Sequence, residues 1–140
     1  MQIYNVSFVK PYKSIIKKIR KEVFTIEQKI DAKEDLDGND DNASHILLKL
    51  NNKFIATGRI LNDGHIGRLT VLKKYRNMGY GSILLNALVN IAKDKNQARV
   101  FLGAQESAIK FYQKNGFNIY DKPFMEVGIK HFLMEKNLKA

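Results

Sequence analysis

One stretch constrains this chain more than any other. Gly67-Arg68-Leu69-Thr70-Val71-Leu72 reads as a β-strand, Lys73 to Met78 as a basic turn, and Gly79-Tyr80-Gly81-Ser82 as the opening of an amphipathic helix that runs on through Ile83, Leu84, Leu85, Leu88 and Val89. A turn of this kind aims several backbone N–H groups at one point, at the positive end of a helix dipole, and so favours a pyrophosphate. Gly79 and Gly81 let the backbone approach an anion with no Cβ in the way. Arg76 is expected to add a fixed positive charge just before the helix.

The rest of the chain has to supply a core for this element. At 140 residues and 44% hydrophobic content it suits a single domain spanning 1–140. There are no cysteines, which excludes a disulfide framework, a thiolate metal site and a cysteine nucleophile. No metal site is expected. The first residues, Met1-Gln2-Ile3-Tyr4-Asn5-Val6, lack the character of a signal peptide, and no apolar run approaches ~20 residues, so a cytoplasmic protein without membrane contact is the expectation. The net charge of +10 points to an anionic partner, either nucleic acid or a polyphosphate cofactor.

The charge is unevenly spread. Glu27, Asp31, Glu34, Asp35, Asp37, Asp40 and Asp41 are seven of the fourteen acids, offset locally only by Lys29 and Lys33, so this segment carries −5 and the remainder +15. It reads either as a solvated acidic loop or as a face that attracts a cation.

Periodicity supplies the elements. Gln2 to Phe8 suits an edge strand. Ile15, Ile16, Ile19, Val23 and Ile26 recur at helical spacing and predict one helix ending near Gln28. Ser44–Leu50, Lys53–Leu61 and His65–Leu72 form a meander turned at Asn51-Asn52 and Asn62-Asp63-Gly64. A helix from Gly81 to Asp94 leads to a strand, Ala98–Gly103, expected to lie parallel to the third meander strand. Ser107–Asn115 is a helix with Ser107 as its cap and Gly116 as its stop. Phe117–Tyr120 and His131–Leu138 are the last strands. The order β-α-βββ-α-β-α-β-β defines an α+β (mixed α/β) class, a three-layer arrangement with a mixed antiparallel and parallel twisted sheet flanked by helices.

Arg76-x-x-Gly79-x-Gly81 is followed, about thirty residues on, by Ala104-Gln105-Glu106-Ser107-Ala108-Ile109-Lys110-Phe111-Tyr112-Gln113-Lys114-Asn115-Gly116-Phe117. Together these resemble the GNAT superfamily of N-acetyltransferases. Val23-Phe24 with Glu27-Gln28, Asp35-x-Asp37, His45, Gly58-Arg59, Gly67-Arg68-x-x-Val71, Ala104-Gln105 and Phe124-x-Glu126-x-Gly128-Ile129-x-His131-x-x-Met134 resemble its ElaA-like branch. Lys73 and Asn115 stand where proline and leucine are frequent, and neither departure removes a functional group.

The resemblance implies that acetyl-CoA, the cosubstrate, lies in a V between the strand ending at Leu72 and the strand ending near Leu102. Backbone around Leu69 and Val71 would hold the pantetheine, and the N–H groups of Arg76, Asn77, Met78, Gly79, Tyr80, Gly81 and Ser82 the pyrophosphate, with Phe111 beside the cofactor. The Val71 N–H would face the developing oxyanion, and Tyr112 would assist the leaving thiolate, a positive environment lowering its pKa. An ammonium of pKa ~10.4 costs about 4–5 kcal/mol to deprotonate at neutral pH. The base candidates are Glu27, His45, Glu126 and His131, of which Glu126 and His131 sit at a turn into the last strand; water is a further candidate. His65 is expected at the surface, and Asn118 and Asp121 give no signal above loop chemistry. The implied partner is a small-molecule or peptide amine, with a cationic one suggested by the acidic segment. Homodimers are frequent among relatives. A CoA-binding sensor without turnover is the alternative; a nucleic-acid-binding protein is a weaker one, because the lysines are scattered and no recognition motif accompanies them.

Overall fold

The structure is a computed structural model that describes residues 1–30 and 32–139. The strands β1 (Gln2–Val6), β2 (Ser44–Leu50), β3 (Lys53–Ile60) and β4 (Ile66–Val71) form an antiparallel sheet in that order. The Asn51-Asn52 turn between β2 and β3 has both residues at positive φ, 48° and 65°, the geometry a two-residue hairpin requires. A second sheet has the order β5 (Arg99–Gln105), β8 (Ile129–Asn137) and β6 (Asn118–Ile119), with β7 (Phe124–Glu126) also paired to β8. All its pairings are antiparallel.

The expected parallel neighbour of β4 is therefore corrected. β5 meets β4 only through a parallel bridge, His65 to Phe101, and the two strands then separate into different sheets. β5 prefers the long antiparallel ladder with β8, which runs from Arg99–Asn137 to Gln105–His131. Two sheets pinned at one point leave an opening between them.

Alternation along β2 shows how the layers form. Ile46 and Leu48 face one way, into the main core with Leu84, Leu85 and Leu88 of α3 (Tyr80–Asp94). Leu47 faces the other way, into a smaller core with Ile16, Ile19 and Val23. Strand side chains alternate with period two, so one strand serves both layers. The second layer comes from α1 (Tyr12–Arg20), which continues as a π-helical segment, Lys21–Glu27. The single α-helix predicted to Gln28 is thus interrupted. The Gln28 N–H donates to the Val23 carbonyl, an i→i−5 bond of 2.9 Å. The wider turn shifts the face, and Ile26, which 3.6-residue spacing would bury, is 65% exposed. Two short elements were not foreseen: α2 (Ala32–Asp35) within the acidic segment, and β7. The predicted Ser107 helix begins as a 3-10 turn, Glu106–Ala108, then becomes α4 (Ile109–Lys114), with no side-chain cap. No helix among the described residues is long and apolar enough to cross a membrane.

Candidate active site

The opening between β4 and β5 is a cavity of about 780 Å³. Its walls are β4 around Ile66–Leu69, β5 around Phe101–Gln105, the π-helical segment at Phe24, and the β7–β8 hairpin at Glu126 and His131.

β4 is irregular where it borders the cavity. Thr57 pairs with Thr70 and Arg59 with Gly67, so Arg68 and Leu69 together stand opposite Gly58. This is a β-bulge, in which the extra residue leaves main-chain groups unpaired. Arg68 takes φ +53°, and the Thr70 hydroxyl donates to its carbonyl at 2.8 Å. A Cβ on Gly58 would lie 2.9 Å from Leu88 Cδ1, so the helix packs directly on the backbone behind the bulge. Beyond it, the Leu72 N–H donates to the Ile55 carbonyl at 2.9 Å. Alternation in an antiparallel ladder then turns the N–H and C=O of Val71 away from β3, and the carbonyl accepts from Arg76. Periodicity alone did not reveal the bulge.

The helix N-terminus expected as an anion site lies just past β4. Gly79 is its N-cap at φ +87°, with nothing within 4 Å of the position a Cβ would occupy. No side chain caps the helix, and the Ile83 N–H reaches back only to Gly79. The N–H groups of Tyr80, Gly81 and Ser82 precede that first bond and are left for an outside acceptor. Two details differ from expectation. A Cβ on Gly81 would meet the Phe111 ring at 3.3 Å, so the absence of a side chain there lets α4 pack closely on α3. Arg76 turns its guanidinium to Glu27, at 2.5 and 2.9 Å, and its Nε–H to the Val71 carbonyl at 2.9 Å. It is not directed at the helix N-terminus.

The acidic segment is also corrected. Asp40, buried, accepts from Arg20 at 2.7 Å and from Arg59 at 2.9 Å. Asp35 pairs with Arg20 and with Arg68, and Asp37 with Arg59 and Arg68. These carboxylates fold the segment onto β3 and β4 and do not form a bare acidic face. The Arg59 hydrogen bond, strongest among the influences on it, holds Asp37 well below the usual carboxylate range. Burial alone would raise Asp40, but Arg20 and then Arg59 outweigh it and lower its pKa. Asp31 and the Glu34 side chain lie outside what is described.

The base candidates separate by position. His45 is buried, stacks on Phe8, and has its Nε2 2.9 Å from the Asp40 carbonyl; burial lowers its pKa, and it is a core residue. Glu27 is committed to Arg76, whose hydrogen bonds lower its pKa. His131 and Glu126 remain. The tight turn Val127-Gly128, both residues at positive φ, sets Glu126 opposite Ile129 and Phe124 opposite His131. His131 stacks on Phe124, and its Nδ1 lies 2.8 Å from the Ile129 carbonyl. A carbonyl only accepts, so Nδ1 carries the hydrogen and Nε2 keeps a lone pair. That Nε2 lies 3.9 Å from Glu126, whose side chain is 60% exposed.

Tyr112 lines the cavity with its ring edge against Phe111 and Phe117, and its hydroxyl makes no hydrogen bond to a described residue. Burial pushes its pKa up to about 12, opposite to the expected lowering, because no cation sits against it. His65, expected at the surface, lines the cavity, stacked on Phe101 at 4.9 Å, and burial lowers its pKa. Only the β4–β5 bridge brings those two rings together, so no local signal foretold it. Asn118, in β6, and Asp121 are exposed and outside the cavity.

Two sheets splayed about a cavity, with an uncapped helix N-terminus past the end of the bulged strand, make up a frame found in known structures. The crystal structure of Escherichia coli ElaA matches it with a TM-score of 0.86 at 27% identity, covering 97% of this chain and 99% of that one. A GNAT family acetyltransferase from Elizabethkingia anophelis, crystallised with acetyl-CoA bound, shares the fold with a TM-score of 0.69 at 22% identity, covering 98% and 97% of the two chains. In sequence, the uncharacterised N-acetyltransferase YjcF of Bacillus subtilis is 35% identical over 123 residues, 85% of this chain and 88% of that protein. The profile of the family described as Acetyltransferase (GNAT) domain matches residues 15–138. The chain belongs to the GNAT acetyltransferase family, and its likeness to ElaA supports the ElaA-like branch.

Proposed function

We propose that the protein transfers an acetyl group from acetyl-CoA to a primary amine by direct attack of the amine on the thioester. The observation that carries this is a cavity with Tyr112 and His131 on its walls, beside the edge of β4 on which the Val71 N–H turns away from β3. The open space at Gly79 and the unbonded first turn of α3 suit a pyrophosphate. In this reading Leu69 and Val71 run along the pantetheine, the N–H groups from Asn77 to Ser82 hold the pyrophosphate, and Phe111 supports that turn through Gly81.

His131 is the base. Its Nε2 lone pair accepts a proton from the amine, and the Nδ1–H bond to Ile129 fixes the ring for that task. Glu126, mostly exposed beside it, draws in an ammonium and stabilises the imidazolium. A cationic acceptor would thus meet Glu126, not the acidic segment. The Val71 N–H stabilises the charge that develops on the thioester oxygen. Tyr112 donates a hydrogen bond to the departing sulfur. With its pKa pushed up to about 12, complete proton transfer to a thiolate of pKa about 8.5 is uphill by about 5 kcal/mol. Tyr112 therefore keeps its proton; CoA leaves as the thiolate stabilised by that hydrogen bond and is protonated in balance with the proton that the His131 imidazolium gives up.

Free thiol released from acetyl-CoA in the presence of polyamines, amino acids, amino sugars or lysine peptides is the direct test. Amine-dependent release is expected, with a mass gain of one acetyl group on the amine. Tight CoA binding with no release on any amine would favour a sensor.

A further inference from the structure

Arg76 stands in the glycine-rich motif, yet its side chain runs back along β4. The 3-10 turn Lys73–Tyr75 places Arg76 in extended conformation beside the end of the strand, where its Nε–H donates to the Val71 carbonyl at 2.9 Å. Both terminal nitrogens meet both oxygens of Glu27, at 2.5 and 2.9 Å, which uses the planar fork of the guanidinium in full. Glu27 is the last residue of the π-helical segment, and the wide turn there carries the chain around so that Glu27 reaches across to β4's end. One arginine thus joins the π-helical segment, the glycine-rich turn and the strand residue whose N–H and C=O turn away from β3.

We propose that Glu27 is a positioning residue that acts through Arg76: it aims the Arg76 Nε–H at the Val71 carbonyl and so holds the Val71 main chain at the reacting centre. Arg76 is then a brace and not a pyrophosphate ligand. A lone arginine has many rotamers, and a bidentate carboxylate removes most of them. With one N–H of each terminal nitrogen bonded to Glu27, the guanidinium plane is fixed, and its Nε–H is directed to Val71. The catalytic half of this proposal rests on the acetyl-CoA reading of the cavity; the structural half does not.

The test uses three variants of the whole chain, Glu27→Gln, Arg76→Lys and the double variant, and two readouts. In the protein without CoA, ¹⁵N-resolved hydrogen exchange of the Arg76 side chain should show a protected Nε–H, exchanging at least about tenfold faster in Glu27→Gln. In calorimetry, CoA affinity should stay within about twofold in both single variants, while kcat falls about tenfold, the cost of a displaced reacting group. The lysine ammonium of Arg76→Lys cannot bind Glu27 and the Val71 carbonyl in the same way, so adding Glu27→Gln to that variant should cost nothing further. If Arg76 is a latent phosphate ligand held off by Glu27, Glu27→Gln instead tightens CoA binding by about tenfold or more, the worth of a charged hydrogen bond, and the proposal fails. It also fails if Arg76 Nε–H exchanges freely in the parent or if the two substitutions add. A parent that binds no CoA while Arg76 Nε–H stays protected overturns the reading of the cavity and leaves the brace as a structural fact.

Discussion

Asp40 offers the sharpest test of the arginine–aspartate network that folds the acidic segment onto the sheet. Its carboxylate is buried at 5% exposure and bridges two arginines that are themselves buried, Arg20 at 1% and Arg59 at 4%. Asp40→Ala removes the shared acceptor and strands two guanidinium nitrogens out of water. Asp35 and Asp37 still neutralise part of the charge, through Arg20 and Arg59 respectively. Breaking one partner out of a buried pair costs about 3–5 kcal/mol. For a domain of this size each kcal/mol lowers the melting temperature by about 3 °C, so a fall of about 10–15 °C is expected. Asp40→Asn keeps an oxygen acceptor and loses only the charge, which should cost about 1.5–3 kcal/mol. Asp41, next in sequence and exposed, is the control, and Asp41→Asn should stay within about 0.5 kcal/mol. Urea unfolding followed by circular dichroism measures all three. Asp40→Ala melting within about 2 °C of the parent, the shift typical of a surface change, would refute the claim that this network anchors the segment.

Tyr112→Phe should lower kcat by about 10–100-fold with CoA affinity unchanged, the range for a lost donor at a reacting centre; because burial holds the phenol at about 12, the parent's kcat should show no alkaline loss from Tyr112 below pH ~10, and such a loss assigned to it by Tyr112→Phe would refute the donor role. His131→Gln should reduce kcat/KM about 10²-fold while the protein still binds CoA; an unchanged value would return the base to water or to Glu126. Gly79→Val should weaken CoA binding in calorimetry, because its side chain enters open space at the helix N-terminus, whereas Gly81→Val should chiefly lower the melting temperature through its clash with Phe111; the opposite pattern would exchange the two roles. Asp37 and Asp40 are both held below their ordinary values in the folded state, so their stabilisation is full above the unfolded carboxylate pKa of about 3.9 and is lost as pH falls below it; acid titration of the melting temperature should show this loss, and Asp40→Asn should flatten it.

Local patterning carried much of the fold. Ser44–Leu50 read as a strand and Asn51-Asn52 as its turn, and both stand in the structure. The strand–turn–helix element was legible because Gly79 and Gly81 lie next to a helix start, although of the two only Gly79 has open space where a Cβ would stand. What was not legible depends on contacts between distant residues. Arg20 meets Asp35 and Asp40 only after α1 and the acidic segment have folded onto the sheet, and nothing near Asp35 in the sequence distinguishes a paired carboxylate from a solvated one. The same holds for Arg76, whose partner is 49 residues away, and for His65, which reaches the cavity only because Phe101 crosses beside it. The π-helical turn escaped because Ile26 continues an α-helical rhythm that the backbone does not follow.

The extra residue in β4 has a consequence for how that strand can change over time. Ile66 lies in the main core and Val71 packs against the same core, yet they are five positions apart. In an unbroken strand an odd separation would send them to opposite faces. The doubled pair Arg68-Leu69 acts as a phase shift, and each half of the strand keeps its own parity. Loss of one residue anywhere from Gly67 to Leu69 would therefore do more than shorten a loop. It would force either the Ile66 half out of the core or the Val71 half out of register. Substitutions along this strand are tolerable one at a time, but its length is quantised, and a transplant of the strand into another scaffold succeeds only if all six residues from Ile66 to Val71 travel together.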